Sequence, residues 1–360
     1  MHERPELLKP LTKLPGTNHL ETQPVLRQLV AAHRNLAELK GVTETIPNPE
    51  ILIGTLALQE AKDSSEIENI FTTQDELYQA EIFADIAKNA AAKEVRRHAA
   101  ALRVGFEAMR DDRLITTNRI IDFHRVLMES EAGIRRRPGT VIMNQSTGEV
   151  IYTPPQDPRE IQVLLTDLER FINDDSSCGV DPLIKMAIAH HQFESIHPFR
   201  DGNGRAGRIL NSLYLVAREL VDQPILYLSG YIIDTKADYY QLLQETRVDG
   251  DWEPWLLYIL RGVEVTAAKT IELIQWMRTL MSDVEKRMRE VLPKIYSHEL
   301  LINLFRHPYT SIEAVQKDLG VSRLTASKYL TELTNRGFLE KHRFGKYNYY
   351  VNRPLVRILG

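Results

Sequence analysis

Apolar residues recur at helical spacing through most of the first 290 residues of this 360-residue chain, and this pattern constrains the fold more than any other feature. Helical patterns cover 24–39, 49–70, 72–83, 87–109, 117–128, 158–173, 182–195, 204–220 and 236–289, the last one broken near Gly250 and Pro254. No part of the chain alternates strands with helices as a parallel α/β sheet requires. The pattern therefore predicts a mainly α fold.

One segment departs from this pattern and predicts a β-hairpin. Two short runs rich in β-branched residues, 141–143 and 150–152, flank the turn-rich sequence NQSTGE. Pro154 and Pro155 would end the second strand, because proline cannot donate to a strand ladder. We expect a short hairpin over 141–153, inserted between helices.

Residues 296–360 differ from the rest of the chain in charge and in pattern. They carry ten Lys or Arg against five Asp or Glu, a net of +5, in a chain whose total is -4. Two helices, a turn at Gly320, a further helix from 322 to 335 and two β segments describe a winged helix-turn-helix, with Ala326, Leu330 and Leu333 facing its core. We divide the chain into an N-terminal helical region (1–90), a central domain (91–290) and a winged-helix domain (291–360).

Composition excludes several classes of protein. With 43% apolar residues, the chain can bury a sizeable core. No stretch reaches the roughly 18 consecutive apolar residues of a membrane span, and the start lacks the apolar run of a secretory signal. The one cysteine, Cys178, permits no internal disulfide. We expect a cytoplasmic protein with no membrane partner.

The sequence HPFRDGNGRAGR, residues 197–208, lies between two predicted helices and carries the chemistry. Gly202 and Gly204 bracket Asn203 in a loop that runs directly into a helix. Backbone N–H groups of such a loop can turn inward and meet the positive end of the helix dipole. The segment therefore predicts a binding site for an anion.

Four charged or titratable side chains in the same segment point to polyphosphate chemistry. Arg205 and Arg208 are three residues apart on one helix face, where two guanidinium groups can hold adjacent phosphates. Asp201 offers a hard oxygen ligand that suits Mg²⁺, and His197 supplies a base. Together these groups indicate phosphoryl or nucleotidyl transfer to a weak nucleophile such as a hydroxyl.

This segment resembles the Fic-domain signature. A His is followed two residues later by Phe, then by an acidic residue, by Gly-Asn-Gly-Arg, and by a second Arg three positions further on. The similarity extends from about Glu94 to Leu260, and the layout resembles bacterial Fic proteins with a C-terminal winged helix. The fold that the resemblance implies is mainly α: a Fic helical core with a β-hairpin flap, followed by a winged helix-turn-helix domain.

The activity implied by the resemblance is protein adenylylation, the transfer of AMP from ATP to a Ser, Thr or Tyr hydroxyl of a target protein or of the chain itself, with release of pyrophosphate. His197 would take the hydroxyl proton and Asp201 would hold Mg²⁺. The implied phosphate-binding residues are Gly202, Asn203, Gly204, Arg205, Ala206, Gly207 and Arg208. Relatives that phosphorylate their targets have Lys where Arg205 stands, so this arginine favours AMP transfer.

A second segment, SSEIEN, resembles the inhibitory helix of Fic proteins. Ser64, Glu68 and Asn69 match its pattern, and Ser64 and Glu68 share a helix face. In such relatives the glutamate pairs with the second arginine of the motif, here Arg208. A carboxylate that occupies this guanidinium would displace the γ-phosphate of ATP, so we expect low activity in the wild-type chain.

The predicted hairpin and a downstream helix complete the implied site. The hairpin resembles the family's flap, whose edge strand aligns an extended target segment by main-chain hydrogen bonds. Ile151 and Tyr152 would lie nearest the nucleotide. Tyr239, Tyr240 and Arg247 match the region that encloses adenine in relatives. Adjacent histidines at 190 and 191 point to different helix faces, so we interpret them as packing residues rather than as ligands of one metal ion.

Two other functions remain open at this stage. The same glutamate positions a water in some relatives, so the chain is alternatively a hydrolase that removes AMP from modified proteins. The winged helix suggests a nucleotide-sensing DNA-binding regulator, in which Arg323, Thr325, Ser327 and Lys328 would face a groove of DNA. The winged helix could equally dock a protein target or the inhibitory helix. We expect a homodimer.

Overall fold

A computed structural model describes residues 20–48, 50–82, 89–143, 147–174, 179–345 and 347–359; the start of the chain, the hairpin turn at 144–146 and Cys178 lie outside these ranges. The helices in the described residues are α1 Gln23–Thr43, α2 Glu50–Ile67, α3 Gln74–Ile82, α4 Ala90–Ala108, α5 Thr117–Met128, α6 Pro158–Asn173, α7 Pro182–Ile196, α8 Asn203–Ala217, α9 Ser229–Asp234, α10 Lys236–Asp249, α11 Glu253–Val291, α12 His298–Arg306, α13 Ile312–Leu319, α14 Arg323–Asn335 and α15 Arg353–Ile358. The strands are β1 Ile142–Met143, β2 Val150–Tyr152, β3 Tyr309–Thr310, β4 Glu340–Phe344 and β5 Tyr347–Val351. The predicted mainly α fold is confirmed.

Helix α1 shows how the apolar pattern is used. The Thr22 hydroxyl accepts a hydrogen bond from Val25 N (3.4 Å) and caps the first turn. Val25 and Leu29 are buried, and α1 packs along α11. Val30, in contrast, is 71% exposed, so only one side of the apolar stripe meets the core.

Helices α7 and α8 form the centre of the molecule. Every residue of α7 from Leu183 to Ile196 is buried, and α8 is buried along nearly its whole length. A helix that is enclosed on all sides lies inside a helical core rather than on its surface. Helices α2, α4, α5, α6 and α11 pack against this pair. The sequence motif at 197–208 therefore joins the two most deeply buried helices.

Helix α2 brings its C-terminal end to the start of α8. It packs against α4, α8, α9 and α12. The chain leaves the helix through Asn69, whose φ of +63° is left-handed, and Ile70 N donates to the Ser65 carbonyl oxygen (3.0 Å). Asparagine tolerates this conformation better than most residues do. Helix α3 then begins with a reciprocal cap between Thr73 and Glu76.

The hairpin and the C-terminal region match the predicted order of elements. Strands β1 and β2 are antiparallel, with Ile142 opposite Tyr152. In the C-terminal region β3 lies between α12 and α13, and α14 is followed by β4 and β5; the three strands form an antiparallel sheet of order β3-β5-β4. Ala326, Leu330 and Leu333 are fully buried, as predicted. Strand β3 and helices α9 and α15 were not predicted, because two to six residues are too short to show a period.

No helix in the described ranges combines the length and the apolar composition that crossing a membrane requires.

Candidate active site

Side chains hold the loop between α7 and α8 on both sides. Asn203 Oδ1 accepts a hydrogen bond from Phe199 N (2.8 Å), and Asn203 Nδ2 donates to the Phe199 carbonyl oxygen (2.9 Å). His124 stacks on the Phe199 ring with centroids 3.6 Å apart, and its Nε2 lies 2.9 Å from the Asp201 carbonyl oxygen. The Asn203 side chain therefore fixes the loop, and its implied role in binding phosphate stays a prediction.

Gly202 meets two requirements of this loop. Its φ of +76° is left-handed, and a Cβ at this position would lie 2.6 Å from Met128 Sδ. Helix α8 begins at the next residue, so its first backbone N–H groups and the positive end of its dipole lie at the end of the loop. The geometry agrees with the predicted anion-binding loop.

His197 follows the last residue of α7 with a left-handed backbone (φ +49°). Its carbonyl oxygen accepts a hydrogen bond from Arg135 Nε (2.8 Å). Burial lowers the pKa of His197 to about 4, and the positive charges of Arg135 and Arg247 act in the same direction. A histidine in water has a pKa near neutrality, so its burial makes the difference. At pH 7 the imidazole is neutral, which is the form that can accept a proton.

Arg208 is held by the end of α2. Its Nε donates to Ser64 Oγ (2.7 Å), and its Nη2 donates to the Ser64 carbonyl oxygen (2.9 Å) and to Glu68 Oε1 (2.9 Å). Burial has the largest single effect and lowers the pKa of Arg208, but Glu68, Tyr239 and Tyr240 together outweigh it, so the pKa is raised. Gly204 lies beneath this pair, and a Cβ there would collide with the Glu68 carboxylate. The predicted contact between Glu68 and Arg208 is present in this structure.

Arg205 has a different set of neighbours, although it lies three residues before Arg208. It donates to the Glu94 carboxylate of α4, and its Nη2 is 3.6 Å from Met128 Sδ. Asp201 Oδ1 lies 3.8 Å from the same nitrogen. The sequence did not reveal Glu94 as a partner, because the two residues are far apart in the chain. The guanidinium groups of the two arginines are therefore bound by different helices.

Asp201 is the one carboxylate of the motif, and it is accessible. Its side chain is 74% exposed, and its Oδ1 accepts a hydrogen bond from Gly202 N (2.6 Å). The described residues contain no cluster of three or more His, Cys, Asp or Glu side chains that could bind a metal ion. A lone open carboxylate suits Mg²⁺, which is usually bound by one or two carboxylates together with substrate phosphates. The predicted Mg²⁺ ligand thus fits the chemistry of the site.

The flap and helix α10 form the other side of the site. Gln244 Nε2 donates to the Ile151 carbonyl oxygen (3.2 Å) and links α10 to the flap. Arg247 stacks over the Tyr152 ring at 4.3 Å and donates to Ser195 Oγ (2.8 Å). The Tyr152 hydroxyl donates to the Ser195 carbonyl oxygen (2.9 Å). Tyr152 and Arg247 are thus bound to each other and to the end of α7.

The two tyrosines of α10 have different environments. Tyr239 is buried, and its hydroxyl lies 2.9 Å from His190 Nε2. Tyr240 is 43% exposed. His191 Nε2 lies 3.1 Å from the Leu243 carbonyl oxygen. Both histidines therefore have packing roles, as predicted, and burial lowers the pKa of each to about 3.

A cavity of about 170 Å³ collects many of the predicted residues. Its lining comprises Glu68, Ile142, Ile151, Glu194, His197, Gly204, Arg208, Tyr239, Tyr240, Leu243, Gln244 and Arg247. The predicted residues outside this lining are Ser64, Asn69, Tyr152, Asp201, Gly202, Asn203, Arg205, Ala206 and Gly207. Ser64 and Tyr152 act through bonded neighbours that do line it, Arg208 and Arg247.

Glu194 is the titratable residue of the cavity that sequence reasoning missed. Its side chain is 7% exposed, and its Oε1 has no hydrogen-bond partner among the described residues. Burial raises the pKa of Glu194 to about 7. A buried carboxyl without a partner is costly and is typical of ligand-binding sites. The signal available in the sequence was a carboxylate three positions before His197, on a helix whose one other Lys, Arg, Asp or Glu residue is Lys185.

Comparison with protein families places three profiles along the chain. The profile described as Fic/DOC family N-terminal matches residues 26–107, the Fic/DOC family profile matches 114–215, and the profile of the protein adenylyltransferase SoFic-like C-terminal domain matches 280–355. The first range contains Glu68, and the second contains the whole motif from His197 to Arg208.

Relatives and solved structures agree with these profiles. The chain is 30% identical over 161 residues to protein adenylyltransferase fic-1 of Caenorhabditis elegans, and 30% identical over 122 residues to protein adenylyltransferase Fic of Drosophila melanogaster. These matches cover 44% and 34% of the chain but only 29% and 23% of the relatives. A Fic family protein from Desulfovibrio desulfuricans superposes with a TM-score of 0.57 at 20% identity, covering 92% of this chain and 96% of that one. The chain belongs to the Fic/DOC family.

Proposed function

We propose that the chain transfers AMP from ATP to a hydroxyl group of a protein, either a target or the chain itself. One observation carries the proposal: the cavity that contains His197 also contains Arg208, whose guanidinium is bound by the carboxylate of Glu68. A buried guanidinium needs an anion as its partner, and a phosphate group can take the place of the carboxylate. Relatives named protein adenylyltransferase support the reaction type at the level of the family.

The roles of the residues follow from their environments. Neutral His197 accepts the proton of the attacking hydroxyl as the oxygen bonds to the α-phosphorus of ATP. The bond from the α-phosphorus to the bridging oxygen breaks, and pyrophosphate leaves. The start of α8 and Arg208 stabilise negative charge on the phosphates. Tyr240 and Arg247 border the nucleoside side of the cavity.

Asp201 is the residue that would hold Mg²⁺. The ion supplies positive charge against the phosphates of ATP when it is bound. The open carboxylate at the end of the loop supports this assignment.

Target binding is assigned to the flap. Ile142 of β1 and Ile151 of β2 line the cavity, and the Gln244 side chain bonds to the Ile151 carbonyl oxygen. A two-stranded ribbon with an open edge can add an extended segment of a partner by main-chain hydrogen bonds. The proposal also includes the division of the chain into three regions, 1–90, 91–290 and 291–360.

Glu68 makes the wild-type chain autoinhibited in this scheme. It occupies the guanidinium that the terminal phosphates of ATP need, and Ser64 holds the same group from the side. Removal of the carboxylate leaves Arg208 positively charged in a buried site, which favours an anion in its place. The expected result is a gain of activity on loss of Glu68.

Label transfer from α-labelled ATP with Mg²⁺ tests the proposal. The variants are Glu68→Ala, His197→Ala, the double variant and Glu66→Ala, each incubated alone and with a cell lysate. Glu66 is a matched control, because its carboxylate lies at the end of α2, two residues before Glu68, and pairs with Lys62 instead of Arg208. We expect at least tenfold more labelling with Glu68→Ala, none when His197 is also lost, and no change with Glu66→Ala.

Two results would refute parts of this scheme. Labelling that persists in the double variant would exclude His197 as the base. Absence of labelling in every variant, combined with release of AMP from an adenylylated protein in a Glu68-dependent reaction, would identify the chain as the hydrolase.

A further inference from the structure

Two adjoining cavities, of about 700 and 240 Å³, form a cleft between α4, α2 and the end of α12. They share the residues Gly54, Arg103 and Arg306. We call this the basic cleft and define it by its five arginines, Arg96, Arg103, Arg110, Arg113 and Arg306. Its lining has no residue in common with the cavity at His197. The basic cleft is therefore separate from the candidate active site.

The positive charge of the cleft comes from α4, from the segment after it and from the end of α12. Arg96 and Arg103 are seven residues apart and lie on the same side of α4, Arg110 and Arg113 follow the last residue of α4, and Arg306 ends α12. The lining includes two acidic residues, Glu107 and Asp222. The Asp222 carboxylate lies 3.1 Å from Lys40 Nζ, so a cation outside the cleft already neutralises it.

Two of these arginines are available to a ligand. The side chains of Arg103 and Arg110 are exposed and make no hydrogen bond or ion pair with any part of the chain that the structure describes. Arg113, by contrast, pairs with Glu219 (2.6 Å). Positive charges that line a concave surface concentrate the electric field there and raise the local concentration of anions. The residues before 296 carry a net charge of -9. The arginine cluster of the cleft is therefore opposite in sign to the net charge of this part of the chain.

The shape of the cleft suits a compact ligand. Its floor is formed by small residues, Gly54 and Ala57 of α2 with Ala99 and Ala100 of α4, which leave the space between the helices open. The larger cavity falls in the size range of small-molecule sites. Phe106 adds an aromatic surface to its wall.

We propose that the basic cleft binds a chain of two or more phosphates. The Cα atoms of Arg96 and Arg103 are separated by about 10 Å along the helix axis, because each residue rises about 1.5 Å. A single phosphate contacts one end of such a row, whereas a linked chain can contact successive guanidinium groups. Guanidinium groups bind phosphate oxygens with two parallel hydrogen bonds. Either a nucleoside triphosphate or an inorganic polyphosphate provides this chemistry.

Calorimetric titration of the full chain tests the site. The background is Arg208→Ala, which removes the phosphate ligand of the candidate active site, and no Mg²⁺ is added. Inorganic tripolyphosphate and ATP are titrated at low salt, with orthophosphate and adenosine for comparison. We expect one binding site for the first two compounds and affinity at least tenfold lower for the last two.

Charge reversal separates the cleft from unspecific attraction. The double variant Arg103→Glu with Arg110→Glu should lower the affinity at least tenfold. If this variant misfolds, the neutral double variant Arg103→Gln with Arg110→Gln should still lower the affinity. Arg278→Glu is the matched control, because Arg278 is exposed on α11 and does not line the cleft. ATP that binds at least tenfold tighter than tripolyphosphate would identify the nucleotide as the ligand, and equal affinity would identify the phosphate chain alone. Absence of binding, or equal losses with Arg278→Glu, would overturn the proposal.

Discussion

Glu194 allows a quantitative test of the structure that does not depend on activity. Its carboxyl is enclosed by α7, Gly207 of α8 and the cavity, and burial raises its pKa from 4.5 to about 7. Arg208 and Arg247 lower this pKa and Glu68 raises it, but burial is the largest effect. The folded protein therefore holds Glu194 protonated at pH values where the unfolded chain has it ionised.

The magnitude follows from the two pKa values. A carboxyl whose folded pKa is raised contributes stability that is present below pH 4.5 and is lost as the pH rises to about 7. Relative to a residue that stays neutral, Glu194 lowers the free energy of unfolding by about 1.4 kcal/mol at pH 5.5 and by about 3.3 kcal/mol at pH 8. The difference between the two conditions is about 2 kcal/mol.

Substitution Glu194→Gln isolates this effect, because the amide has the same shape and no charge at either pH. The free energy of unfolding is measured in urea at pH 5.5 and pH 8, with tryptophan fluorescence as the signal. Stability of the variant relative to wild type should rise by about 2 kcal/mol from the lower to the higher pH. A stability difference between Glu194→Gln and wild type that is the same at pH 5.5 and pH 8 would show that the Glu194 carboxyl is not held neutral by burial.

Three further substitutions probe the loop between α7 and α8. Asn203→Ala leaves the buried Phe199 N–H without its partner and should cost about 1–3 kcal/mol in urea unfolding; an unchanged midpoint would contradict the bonding described. Gly202→Ala should cost at least about 1–2 kcal/mol from the left-handed backbone alone, measured in the same way, while Ala132→Gly outside the loop serves as a control. Arg135→Gln removes a positive charge near His197 and should raise its pKa above about 4 in an NMR titration, whereas a lower pKa would refute the assigned cause.

Long helices with explicit end signals were predictable from sequence. Helix α6 has the predicted bounds, because Asp157 caps its first turn and Pro158 has the φ that the first helical position needs. The end of α7 is less clear in the sequence, since His197 adopts a left-handed conformation that glycine usually takes. Short elements such as α9 give no periodic signal at all.

Within the candidate site, predictability depends on how local the contact is. The resemblance to the inhibitory helix predicted that Glu68 pairs with Arg208, and the spacing placed Ser64 on the same helix face; in the structure both residues bond to Arg208. The Glu94 carboxylate that binds Arg205 comes from another helix, so only tertiary packing brings the two together. We expected Arg205 and Arg208 to bind adjacent phosphates because they lie on one helix face. That expectation did not include the Glu94 carboxylate as a partner of Arg205.

The position of Glu68 depends on regions that are distant in sequence. Helix α2 packs on α12, and α3, which follows Glu68 in the chain, contacts β3 of the C-terminal region. Gln74 Nε2 donates to the Leu359 carbonyl oxygen (2.9 Å), and the Tyr309 hydroxyl donates to the Asp75 carboxylate. A carboxylate competes for a buried guanidinium only while its helix keeps the correct register. The C-terminal region therefore helps to hold the contact between Glu68 and Arg208, which gives it a physical role in the site without requiring DNA.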